Sequence, residues 1–119
     1  MARFMLLLHM EHDPAPVTLS PAEIQAITQR YVAWSQKLGA AGKIAGGEKL
    51  TNDSGRVIRS KGGELVVSDG PYSESKDFLG GYFLLDVADW AEAEAIARTC
   101  PHAELGRPIE IRQIETING

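Results

Sequence analysis

Apolar and polar positions alternate along this chain in two periods, one of strands and one of helices, and the two take turns. Residues 2–10 set Phe4, Leu6, Leu8 and Met10 against Met5, Leu7 and His9, so a strand here is apolar on both faces. Such a strand is expected in the middle of a sheet, covered on both sides. Residues 11–19 (E-H-D-P-A-P-V-T-L) are a polar, proline-broken connection. Ser20-Pro21-Ala22-Glu23 then carries three helix-start signals: Ser as N-cap, Pro at the first helical position and Glu three residues after the cap. Ile24, Ile27, Tyr31, Trp34 and Leu38 form one stripe of a helix predicted to run to about Leu38, with Gly39 as C-cap.

The period returns to two at residues 43–51, where Gly46-Gly47 predicts a bulge or a close backbone approach. Residues 56–60 and 64–67, joined across Lys61-Gly62-Gly63, predict a β-hairpin. The polar stretch Ser68 to Gly81 is too long for a hairpin turn and reads as a working loop. Tyr82 to Val87 is a second strand with two apolar faces. Asp89-Trp90-Ala91-Glu92 is a second capping box, opening a helix with Ala93, Ile96 and Ala97 on one face that stops before Pro101. The last strand, Ile109 to Ile117, sets Ile109, Ile111 and Gln113 against Glu110, Arg112 and Ile114, a more polar pattern suited to an edge.

The order β-α-β, hairpin, β-α-β predicts a ferredoxin-like α+β sandwich, one domain over residues 1–119, with both helices on one sheet face. The other face would be left bare although two of its strands carry apolar groups there. A second copy of the chain is the simplest cover, so a homodimer is expected.

Composition narrows the partners. Twelve Lys plus Arg against sixteen Asp plus Glu, a net charge of −4, is no footprint for nucleic acid. The apolar run Phe4 to Leu8 is too short for a signal-peptide core or a membrane span. A single cysteine, Cys100, cannot close an internal bridge, which fits a reducing cytoplasm; it reads as a small buried hydrophobe.

Ser68-Asp69-Gly70-Pro71-Tyr72, Glu74-Ser75-Lys76 and Leu79-Gly80-Gly81-Tyr82, with Cys100-Pro101-His102 and Ile109-Glu110-Ile111-Arg112, resemble the DGPF signature of the YCII-related family over nearly the whole chain. Tyr72 stands where the signature has Phe, Ser75 where Thr is common and Asp77 where Glu is common. The resemblance implies a ferredoxin-like fold assembled as a dimeric α/β barrel and an active site of His and Asp. It extends to dehydrochlorinases of chlorinated hydroxyquinols.

The resemblance makes Asp69 and His102 the candidate catalytic pair. A carboxylate bonded to an imidazole fixes its tautomer and raises its basicity. Against this, Asp before Gly-Pro commonly caps a turn, and a His after Pro101 also suits a surface helix exit. Tyr72 suits a substrate oxygen or a cover on the core, and Lys76 with Glu74 an anion or a solvated ion pair. His9, on the face with Met5 and Leu7, would point into the dimer interior and line the same pocket, so His9, Tyr72, Lys76 and Tyr82 are the substrate-binding candidates. His9, Glu11, His12 and Asp13 invite a metal, but on a strand His9 and His12 point apart, and no metal or organic cofactor is expected. Two functions remain: a small acid/base enzyme acting on a polar or aromatic molecule, and a non-catalytic metabolite-binding or regulatory dimer.

Overall fold

The computed structural model describes residues 1–11, 19–53, 55–70 and 77–117. Its elements are β1 (Ala2–Glu11), α1 (Pro21–Ala40), β2 (Ile44–Lys49), β3 (Arg56–Lys61), β4 (Glu64–Asp69), β5 (Asp77–Val87), α2 (Trp90–Thr99), α3 (Pro101–Glu104) and β6 (Ile109–Gln113). Four strands form an antiparallel sheet in the order β2-β5-β1-β6, and β3 with β4 forms a separate two-stranded sheet. Without that hairpin the order is that of two interleaved β-α-β units, the ferredoxin-like arrangement.

The two strands with two apolar faces, β1 and β5, occupy the centre, and the polar β6 lies at an edge. Phe4 pairs with Leu85 and Leu6 with Phe83, which puts these side chains on the helix side. There Phe4, Leu6, Leu8, Leu85, Val87, Ala93, Ile96, Ala97 and Cys100 make the buried core. Trp90 meets Phe4 edge-on at 4.9 Å and Trp34 meets Phe83 at 5.1 Å between ring centroids.

Helix α1 begins with the full capping box: Glu23 N–H donates to Ser20 Oγ at 3.1 Å and Ser20 N–H to Glu23 Oε1 at 3.2 Å. Its stripe is shallower than the periodicity predicts, because Tyr31, Trp34 and Leu38 pack on the core while Ile24 remains 52% exposed. The helix also passes Gly39 and ends at Ala40. Gly42, at φ 75°, is the left-handed residue, and the bonds Lys43 N to Leu38 O and Gly42 N to Gly39 O close a Schellman motif around it. The second helix has half of the predicted box. Glu92 N–H donates to Asp89 Oδ1 at 2.9 Å, but the Glu92 carboxylate takes the Ala88 N–H and the Lys43 ammonium, which anchors α2 to the start of β2.

Gly46-Gly47 satisfies both halves of its expectation. The β2–β5 register shifts between Ile44 and Gly46, and a Cβ on Gly47 would fall 2.6 Å from Tyr82 O and from Phe83 Cδ1. The stretch 68–81 is shorter as a connection than its polarity predicts. Ser68 and Asp69 complete β4, and β5 already begins at Asp77, so Gly80-Gly81 lie inside a strand. Gly80 is the extra residue of a bulge opposite Leu8/His9.

Candidate functional site

The two histidines 9 and 102 are joined through one backbone carbonyl. β1 carries His9 at its bulge, where the main-chain N–H donates to Pro108 O at 3.1 Å. His102 sits in the short α3, held there by Pro101 at the first helical position, and is 2% exposed. Its Nε2 lies 2.7 Å from His9 O and its Nδ1 lies 2.9 Å from the Tyr31 hydroxyl. A carbonyl can only accept, so Nε2 carries the proton and Nδ1 accepts from Tyr31. Burial, reinforced by the Arg107 and His9 charges, pushes the His102 pKa down against opposing backbone hydrogen bonds. Burial likewise pushes the Tyr31 phenol up, against the Arg107 cation. His102 is therefore a neutral imidazole with both nitrogens engaged, tying α1 to β1.

The His–carboxylate contact of the structure lies one step away. His9 Nε2 is 2.9 Å from Glu110 Oε1, across the sheet from β1 to β6. His9 shares its sheet face with Met5 and Leu7, and Glu110 stands opposite Leu7, so the pair projects from the face turned away from the helices. The hydrogen bond from His9 holds the Glu110 carboxyl below the ordinary carboxylate range, and Arg112, 3.6 Å from the other carboxylate oxygen, adds to it. Tyr82 is paired opposite Leu7 on the other side of β1 and lies on this same face. With Nε2–H donated to Glu110, Nδ1 is the His9 nitrogen left to give or take a proton. A carboxylate behind one nitrogen and a base at the other is the arrangement that moves protons.

The sequence-predicted residues are thus divided. His9 and Tyr82 share the open face. His102 supports His9 from beneath. Asp69 lies on the exposed hairpin, at the end of β4 across from Arg56, and neither His102 nitrogen is bonded to it. Tyr72, Lys76, Glu74, His12 and Asp13 lie outside the described residues. Among the described residues no group of three or more His, Cys, Asp or Glu is placed to hold a metal ion. Cys100 is buried and its thiol pKa is raised by that burial, as suits a core residue. The sequence names Glu110 only within the Ile109-Glu110-Ile111-Arg112 segment and Tyr31 only as one position of the apolar stripe of α1, which suits the core first and a ligand site second. The alternation of β6 sets Glu110 and Arg112 against Ile109 and Ile111; the bond from Tyr31 to His102 has no signal before the helix is docked. On the helix side, a groove of about 260 Å³ runs between α2 and β6, lined by Ala97, Arg98, Arg107, Ile109 and Ile111 among others. No described helix is long and apolar enough to cross a membrane.

Known proteins place the chain further. An uncharacterized protein of Rhizobium meliloti (strain 1021) is 31% identical over 81 residues, 68% of this chain and 60% of that protein, so the match spans less than two thirds of the relative's length. Among solved structures, the 5-chloro-2-hydroxyhydroquinone dehydrochlorinase of Burkholderia phenoliruptrix AC1100, in complex with 2,5-dihydroxybenzoquinone, aligns over 95% of this chain and 93% of its own. The TM-score is 0.46 at 16% identity. The YCII-related domain matches residues 3–118, and the chain belongs to that family.

Proposed function

We propose that the chain is a cytoplasmic homodimer whose open sheet faces enclose a site for a small polar or aromatic molecule. In this site His9, backed by Glu110, transfers protons. The observation that carries the reading is the 2.9 Å His9–Glu110 bond on a face that also presents Tyr82. His9 Nδ1 takes a proton from a substrate carbon or hydroxyl, and Glu110 stabilises the imidazolium that forms. Loss of a leaving group from the neighbouring carbon as the electron pair moves into the new double bond is a lyase reaction, which needs no organic cofactor. His102 is a positioning residue: it holds the carbonyl of His9 and so the angle at which the ring leaves the strand. Asp69, at the end of β4, enters this reading as a group that reaches the site in the assembled dimer.

A non-catalytic metabolite-binding dimer is the competing reading, and it is favoured by the commitment of both His102 nitrogens to structural bonds. A panel of hydroxylated aromatics and carboxylates, scored by thermal shift and by turnover, separates the two. Glu110→Gln and His9→Ala are expected to abolish turnover of the best ligand while Glu110→Gln still binds it. Turnover indifferent to both substitutions would reject the proton-transfer role, and binding without turnover by any ligand would favour the binding module.

A further inference from the structure

Among the described residues, the β3–β4 hairpin is an arm that packs substantially on no other helix or strand. Its turn residues Gly62 and Gly63, at φ 58° and 86°, take the left-handed conformations of a two-residue type I′ turn that the right-handed strand twist favours. The pairing Ile58↔Val67 and Ser60↔Leu65 places Ile58, Val67 and Leu65 on one face, and these side chains are 65%, 58% and 77% exposed. The face is apolar, yet among the described residues the arm has no substantial packing against the four-stranded sheet or the helices. A lone two-stranded hairpin is marginal in water, so this one needs a surface to lie on.

The same chain offers a surface with the complementary need. The open sheet face carries Met5, Leu7, Tyr82 and Leu84, each only half-buried, bordered by Glu110 and by Arg112, whose side chain is 70% exposed. At standard strand spacing the arm face covers about 200 Å² and seats on an equal area of the partner's open face, about 400 Å² per protomer, and the roughly 300 Å² of open face left over meets its counterpart across the two-fold axis, which brings the total close to the ~800 Å² per partner of a stable specific interface. Neither surface reaches that size alone, and a two-fold axis supplies both at once.

The geometry points to an arm exchange, an inference that rests on the dimer of the preceding section: the β3–β4 hairpin of each protomer lies against the open sheet face of the other. Asp69 and Arg56 sit on the same arm face as Ile58 and Val67. The exchange therefore carries Asp69 of one protomer to the rim of the other protomer's His9–Glu110 site, where Arg112 is the cation that receives it. The site is then built from two chains, which accounts for a signature carboxylate that takes no part in the bonds of the His9 and His102 rings of its own chain.

Nuclear Overhauser contacts in a dimer mixed from isotope-labelled and unlabelled protein test the exchange, with sedimentation equilibrium on the same sample. The expected result is a dimer with intermolecular contacts from the Ile58, Leu65 and Val67 methyls to Met5, Leu7 or Leu84. A dimer without those contacts overturns the exchange and leaves the dimer standing. A monomer at every concentration overturns both. The variant Ile58→Ser/Leu65→Ser/Val67→Ser, checked for native circular dichroism, is expected to raise the dimer dissociation constant about a hundredfold or more. An unchanged constant contradicts the exchange.

Discussion

Tyr31→Phe removes one oxygen and leaves the buried imidazole of His102 with an acceptor that nothing satisfies. In the wild-type protein the Tyr31 hydroxyl donates to Nδ1 at 2.9 Å, and the ring it serves is 2% exposed. An unsatisfied buried acceptor costs about 1–3 kcal/mol. Tyr31 itself is half-buried, so water entering from its side recovers part of the loss, and about 1–1.5 kcal/mol is expected. At a few degrees per kcal/mol for a domain of this size, the melting temperature should fall by about 4–8 °C. Urea denaturation is the assay, read as a shift of midpoint at unchanged slope. A loss below about 0.3 kcal/mol would refute the account of His102 as a neutral ring locked by two hydrogen bonds, since a free Nδ1 would then cost nothing.

Two further outcomes follow from the structure. The folded-state pKa of His102 is depressed, so its neutral form is favoured by folding; that contribution is complete above the unfolded value near 6.5 and is lost as pH falls below it. Urea midpoints measured through that window should decline with acid, and His102→Gln should flatten the decline; an equal slope in the variant would assign it elsewhere. Gly47→Ala should destabilise by about 1–3 kcal/mol, because its Cβ meets the Tyr82 carbonyl at 2.6 Å, whereas Gly46→Ala meets only Leu84 at 3.8 Å and should stay within about 0.5 kcal/mol in the same assay.

The fold was legible where burial dictates side-chain period. Two apolar faces marked β1 and β5 as central, and the polar alternation of β6 marked an edge. Local chemistry was less secure where two residues offered the same signal. Gly39 and Gly42 both suit a helix end, and only the docking of Lys43 onto Leu38 O selects the second. Polarity misread 68–81, because the polar Ser68 and Asp69 extend β4 through pairing with β3 in the same hairpin, while β5 starts early, at Asp77, through pairing with the distant Glu11 of β1. The site was the least legible part. His9 was read onto the correct face from its period, but its partner Glu110 is 101 residues away and is fixed only by the β1–β6 register. The resemblance to a His and Asp family directed attention to His102, whose nitrogens are in fact occupied by Tyr31 and a carbonyl.

The most direct test of the open face as the working surface is the nitrogen spectrum of the His9 imidazole, recorded free and with the best ligand of the panel. A shift of the His9 ring nitrogens on binding is predicted, altered in Glu110→Gln, with the His102 nitrogens unmoved. Ligand binding that shifts His102 and leaves His9 untouched would contradict it.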